Sequence, residues 1–392
     1  MGTEFLMIGA AIAVLLSYWY VHLARKYRVP SVMLLLFTGL VARWVTHVTE
    51  TTIELSPQLI SVLGTAGLVL IVLEGALDLE LKAGRRTFLL RTLSSATLGI
   101  AFTTLAVGAL LGWMFDLPPL TALLAAAPFG VISSAVAIPS AEALHREGRE
   151  FVVYESSWSD ILGVMLFNTL LVAVIGGAPA LALVGGGVAV VVIGILLALS
   201  MYWLVGHLEG NVKFIPLLFS LVLVYAAADA LHLSPLLMVL ILGLALNNAH
   251  LLKRLEWLQR LHSEAFEREL ERFKHLTSEL TFLVRTFFFL LLGYVTNVNT
   301  LFEPGAWGYA VLISAVVFAV RWPALQMVGG AHGRQTFWIA PRGLITVTLF
   351  FNLPPSVAQV LPQATLVLVV IITGVAMSLG LRFGRRPADL PA

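Results

Sequence analysis

Apolar residues in this chain run in long unbroken blocks rather than in alternation. A membrane-crossing helix needs about 20 mostly apolar residues, and blocks of that length recur along the whole sequence, bounded by charges and Pro/Gly clusters. They predict thirteen spans, at 5–24, 29–47, 57–77, 88–115, 119–144, 151–176, 180–206, 212–231, 234–249, 281–299, 306–328, 335–353 and 357–381. The blocks lack the period of two that marks barrel strands, so they read as helices of an all-α polytopic membrane protein. Residues 250–280 break the pattern. They are charged, and Leu251, Leu252, Leu255, Leu258, Leu261, Phe266, Leu270 and Phe273 form one stripe at helical spacing. This predicts a cytoplasmic amphipathic helix lying on the bilayer or on a partner subunit.

Composition supports the same class. Hydrophobic residues make up 59% of the chain and charged ones 12%, about half the charge of a soluble domain. A soluble enzyme, a nucleic-acid binder and a disordered protein are excluded. Net charge is +2 and cysteine is absent, so no polyanionic partner, disulfide framework or thiolate chemistry is implied. The basic residues set the orientation. Of the 24 Lys and Arg residues, only Arg43 falls in an even-numbered connection, while Arg285, Arg321 and Arg342 lie inside or at the edge of spans. All the others fall in odd-numbered connections, at the adjoining span ends or in the tail. The N-terminus is therefore expected outside and the C-terminus in the cytoplasm, in a bacterial-type inner membrane.

A charge at the bilayer centre costs at least about 2.5–3.5 kcal/mol, which makes each one a site hypothesis. Glu155, Asp160, Arg321 and Arg342 are too deep to reach water easily. In the sixth span Ser156 and Asp160 are four residues apart and share a helix face, with Glu155 and Ser159 on the adjacent face. Carboxylate and hydroxyl oxygens suit a hard cation such as Na⁺; the plainer alternative is a buried polar helix contact. Arg321 needs a buried anion, and Glu155 is the best candidate, which leaves Asp160 free to titrate. Glu74 and Arg285, near span ends, are read as a funnel or interface acid and a snorkelling base.

The fifth span carries Pro128-Phe129-Gly130-Val131-Ile132-Ser133-Ser134-Ala135, and the twelfth carries Ala340-Pro341-Arg342-Gly343. Proline removes a helix hydrogen bond and glycine weakens the helix. Irregular backbone at membrane depth is tolerated only where it lines protein or a wet cavity. The two breaks are seven spans apart, and an odd offset inverts topology. Spans 4–6 and 11–13 can therefore form an inverted pair whose interrupted helices cross at an ion site.

These residues resemble the monovalent cation:proton antiporter superfamily, and within it the NhaP/NHE-type sodium/proton exchangers. Glu155-Ser156-Ser157-Trp158-Ser159-Asp160 is similar to the family's Glu-Ser-x-x-Asn-Asp motif, and Ile132–Ala137 to its Thr-Asp-Pro-Val-Ala crossing. Arg321 falls where the family places the arginine that pairs with the motif glutamate. Pro341-Arg342-Gly343 resembles the Arg-Gly of its second unwound helix, and Phe287–Gly293 its Phe-rich tenth helix. Two positions depart from the pattern. Ser159 stands where Asn is usual, and Ser134-Ala135 replaces Asp-Pro, which is closer to the potassium-efflux (Kef-type) branch.

The resemblance implies an NhaA/NapA-like antiporter fold in one transmembrane domain. Its core would be 88–176 and 306–381, and its dimerisation scaffold 5–77 and 180–299. It implies a homodimer among membrane lipids, with no soluble regulatory domain, no nucleic-acid partner, no cofactor and no enzymatic activity. Asp160 would bind Na⁺ (or K⁺ or Li⁺) and H⁺ in turn, with Ser133, Ser134, Ser156 and Ser159 as candidate ligands. Glu155–Arg321 would be a structural ion pair, with Arg342 supporting the unwound helices. Electroneutral cation/proton exchange is the expected activity; Kef-like K⁺/H⁺ antiport and sodium-coupled organic-anion transport are the alternatives.

Overall fold

The computed structural model describes residues 3–27, 29–49, 57–79, 86–176, 192–197, 199–200, 214–230, 235–248, 264–328 and 336–383. The principal helices are α1 (Thr3–Tyr27), α2 (Ser31–Val48), α3 (Pro57–Asp78), α4 (Arg86–Phe115), α5 (Pro119–Gly130), α6 (Ser134–Ser140) and α7 (Arg146–Val174). They continue with α8 (Phe214–Ala230), α9 (Pro235–Asn247), α10 (Glu264–Val295), α11 (Pro304–Val328), α12 (Leu344–Phe351) and α13 (Gln363–Phe383). Among the described residues eight helices, with the interrupted α5–α6 taken as one, are long and apolar enough to cross a membrane, and 218–228 and 238–247 are shorter apolar helices. The chain is a multi-pass integral membrane protein. Trp19, Trp44 and Trp113 stay exposed, as interfacial aromatic anchors do.

Twelve predicted spans coincide with described helices, and the seventh, 180–206, lies largely outside the described residues. Among the boundaries that differ from the pattern-based reading, two are informative. The sixth span starts at Arg146, because the polar turn 146–150 continues the helix rather than preceding it. Residues 264–280, expected within a separate amphipathic helix, are continuous with the tenth span in one 32-residue helix. No Pro or Gly lies between Glu264 and Leu292, so nothing ends the helix where its polarity changes. Residues 250–263 lie outside the described residues.

The helices pack in two groups. In one, α2 and α3 pack on α10, and α9 packs on α3. In the other, α4 packs on α5, α7 and α11, and α11 on α13. Within the second group a long helix is twice followed by an interrupted one and then another long helix. The backbone leaves helical geometry at 131–133 and at 339–343. At both breaks it is fully buried, with Val131, Ile132, Ser133, Ala340 and Arg342 all enclosed.

Small residues set how closely helices approach where lipid gives no hydrophobic drive for association. At the α2–α10 crossing, Gly39 meets the Leu290 carbonyl and Gly293 the Leu36 carbonyl, so neither position has room for a Cβ. Gly39→Ala or Gly293→Ala must push two backbones apart. Each is expected to destabilise the protein by about 1–3 kcal/mol, measured as a fall in the thermal midpoint in detergent. Gly75→Ala, where nothing lies within 4 Å of an added Cβ, should not lower the midpoint, since alanine is the better helix former.

Candidate functional site

The two breaks meet. Ser133 N–H donates to the Pro341 carbonyl at 3.0 Å, so each strand satisfies part of the other's backbone. Gly343 makes the approach possible, since a Cβ there would lie 2.5 Å from Ser133 Oγ and 2.9 Å from Val136. Gly163 on α7 similarly admits the Val131 side chain. Ile132 N–H, which the break deprives of a helix partner, donates to Ser159 Oγ at 2.8 Å.

An interrupted helix leaves carbonyls without partners, and in a membrane interior each must find a donor. Two arginines supply them. Arg342 Nε donates to the Phe129 carbonyl at 2.7 Å, at the C-terminal end of α5, and its Nη1 donates to the Ala340 carbonyl at 3.2 Å. The Arg342 backbone N–H is held by Thr373 Oγ1 at 3.0 Å. Arg321, from α11, donates through Nε to the Phe337 carbonyl and through Nη2 to the Thr336 carbonyl, both at 3.0 Å. Those carbonyls belong to the segment entering the second break. The Arg342 cation also favours the negative end of the α5 dipole.

Glu155 and Arg321 form the expected ion pair. Nη2 reaches Oε2 at 2.9 Å and Nη1 reaches Oε1 at 3.3 Å, a forked contact on a carboxylate that is 1% exposed. Ser95 Oγ on α4 donates to the same Oε1 at 2.6 Å. Glu155 thus has three donors around two oxygens, and its charge is committed to Arg321.

Asp160 is buried one helical turn away on α7. The hydroxyl and backbone N–H of Ser134, at the N-terminus of α6, face its carboxylate, and its Oδ1 has no hydrogen-bond partner. Ser133 Oγ is buried and also without a partner. Asp160 and Ser134 therefore come together, and Ser133 lies at the crossing beside Pro341. Ser156 and Ser159 are engaged differently. The Ser156 hydroxyl donates to the Val152 carbonyl on its own helix at 2.7 Å, and the Ser159 oxygen accepts from Ile132. Ser159 thus braces the unwound strand. Ser95 and Thr373 were not legible in the sequence, because hydroxyls on a helix give no signal of a partner 60 or 31 residues away.

Residues 11–383 match the family model described as sodium/hydrogen exchanger, transmembrane. Relatives named K(+)/H(+) antiporter NhaP2 from Shewanella strains MR-4 and MR-7 are each 26% identical over 300 residues, 72% of this chain. The chain spans about half the length of these curated relatives, 49% in both cases. The solved structure of the sodium proton antiporter MjNhaP1 from Methanocaldococcus jannaschii at pH 8 superposes with a TM-score of 0.73 at 20% identity, covering 97% of this chain and 98% of that one. An electron-microscopy map of the same antiporter gives 0.75 at 18% identity over the full length of both chains. The fold is thus of that type.

Breaking a buried ion pair from one side strands a charge, at a cost of about 3–5 kcal/mol. Glu155→Gln and Arg321→Ala should each lower the thermal midpoint steeply. Arg321→Ala has the further effect of freeing the Thr336 and Phe337 carbonyls, so it should be the more damaging of the two. The double variant should lose less than the two single losses combined, which a double-mutant cycle of unfolding free energies would show. Ser95→Ala should cost about 1–3 kcal/mol by leaving Oε1 short of one donor.

Proposed function

The chain belongs to the sodium/hydrogen exchanger family, and from that premise we propose that it exchanges a monovalent cation, Na⁺ in the first instance, for H⁺ at Asp160. The observation that carries this reading is the contrast between two buried acids on one helix. Glu155 is spent on Arg321 and Ser95, whereas Asp160 keeps an unpartnered oxygen where the interrupted helices cross. A carboxylate oxygen and the Ser133 hydroxyl are donors of the kind a hard alkali cation takes. A proton bound to the carboxylate removes the charge that holds the cation, so the two ligands compete for one place.

Alternating access follows if the group carrying the crossing, α4–α7 and α11–α13, moves against α1–α3 and α8–α10. A loaded Asp160 leaves no bare carboxylate to cross, and one exchangeable acid implies one cation per proton and electroneutral turnover. Residue 159, where a second acid would add a charge, is a serine that serves the backbone. We place the chain in a bacterial-type inner membrane as a homodimer, N-terminus outside. K⁺ as the cation is the second reading, favoured by the name of the NhaP2 relatives and by Ser134 at the crossing.

In proteoliposomes carrying a pH gradient, addition of Na⁺, K⁺ or Li⁺ in turn should dissipate the gradient for the transported ion. Asp160→Asn should abolish this exchange while leaving a folded protein with an unchanged elution volume. Retained exchange in that variant would reject the assignment of the site. A transport current that follows membrane potential would reject the one-to-one stoichiometry.

A further inference from the structure

Pro139 sits inside α6, four residues after Ala135. A helical carbonyl accepts from the N–H four residues on, and proline has none. The Ala135 carbonyl, at the second position of α6, is thereby left without its intrahelical donor. The donor comes instead from the other helix group. Arg285, on α10, places Nη1 at 3.2 Å from the Ala135 carbonyl. Its Nη2 binds Glu74 Oε2 on α3 at 3.2 Å. Ser278, two turns before Arg285 on α10, donates to Glu74 Oε1 at 2.9 Å. Thr281 of the same helix reaches the Leu70 carbonyl of α3 at 3.4 Å. Glu74 is therefore fixed on the α3–α10 side, Arg285 is fixed by Glu74, and the remaining arm of the guanidinium holds the helix that follows the first break.

We propose that Arg285 is a positioning residue for transport, a latch that ties α6 to Glu74 through the carbonyl that Pro139 leaves open and that releases when the crossing moves. The proposal rests on the alternating-access reading above, because the tie joins the two groups assigned to move past each other. Three features make the latch suited to release. Its hydrogen bonding to the core side is a single bond to one carbonyl, with the Asp160 charge nearby. Arg285 Nε is buried without a partner, so the guanidinium is held by two of its nitrogens and is not saturated as Arg321 is. The side chains of Arg285 and Glu74 keep 16% and 21% of their exposure, so both can be rehydrated when they separate, unlike the Glu155–Arg321 pair at 2% and 6%. Sequence reading assigned Arg285 and Glu74 to separate minor roles. Their pairing across 211 residues has no local signature in the sequence.

The chain contains no cysteine, so a single Ala135→Cys reporter, which keeps the backbone carbonyl, reads the tie directly. The reagent is a membrane-impermeant maleimide applied to the full chain in right-side-out and everted vesicles. Arg285→Gln removes the donor, and Pro139→Ala restores an intrahelical N–H that competes for the same carbonyl. Both should raise the labelling rate from the same face, on the order of tenfold, since a hydrogen bond to a charged group holds about that much population. Their effects on the thermal midpoint should be opposite in sign, down for Arg285→Gln and up for Pro139→Ala. A merely structural arginine would move stability and leave Pro139→Ala unlabelled. Labelling that fails to rise in Pro139→Ala, or rises from opposite faces in the two variants, overturns the latch. Should Arg285→Gln fail to fold, Glu74→Gln takes its place with the same expectation. Wild-type exchange in proteoliposomes is scored separately: its absence beside shared labelling would remove the antiport reading and leave the latch standing.

Discussion

At membrane depth a backbone carbonyl has no water to turn to, and this constraint organises the whole centre of the molecule. Two helices are interrupted where they cross, and the carbonyls that end each first half need donors. Side-chain amides or hydroxyls would be the economical choice. The chain uses guanidinium groups instead, Arg342 for Phe129 and Ala340, and Arg321 for Thr336 and Phe337. A guanidinium offers five donors in a rigid fork, so one side chain can serve two carbonyls and still have nitrogen to spare. The cost is a buried positive charge at each break.

That charge explains the acids. Arg321 uses its remaining donor capacity on Glu155, and the pair closes on itself with Ser95. Glu155 is thus part of the scaffolding of the break, although it stands five residues from Asp160 in the same motif. Among the described contacts Arg342 donates to carbonyls, one of them at the C-terminal end of α5, and to no carboxylate. Asp160 is then left facing Ser134 with one oxygen unsatisfied. The division of labour follows from which acid the guanidinium can reach, not from any difference between Asp and Glu as ligands.

Much of this was legible before any coordinates. Apolar blocks located the spans, Pro and Gly located both breaks, and charge balance alone paired Arg321 with Glu155. Three things were not. The continuity of α10 through a change from polar to apolar surface was hidden, because a helix ends by capping or breaking residues and not by a change of environment. The second use of the Ser159 hydroxyl, as acceptor for the Ile132 N–H, was hidden because it depends on the unwound strand. Ser95, Thr373 and the Glu74–Arg285 pair depend on which helices become neighbours, and spacing within one helix carries no record of that.

The arrangement also bears on why the two halves of the crossing belong to one chain. Glu155 and Asp160 come from the helix that follows the first break, and Arg321 and Arg342 from the helix before the second break and the break itself. The first half supplies acids and the second supplies guanidiniums. Arg342 caps the first break from within the second, and Ser133 of the first break bonds Pro341 of the second. Each half alone would bury a like-charged pair and leave carbonyls without donors. Packed together, they pair Glu155 with Arg321 and give donors to carbonyls at both breaks, which leaves the Asp160 Oδ1 as the carboxylate oxygen at the crossing without a hydrogen-bond partner. The resemblance of the two halves in element order thus conceals a chemical asymmetry, and it is the asymmetry that makes the crossing stable enough to carry a site.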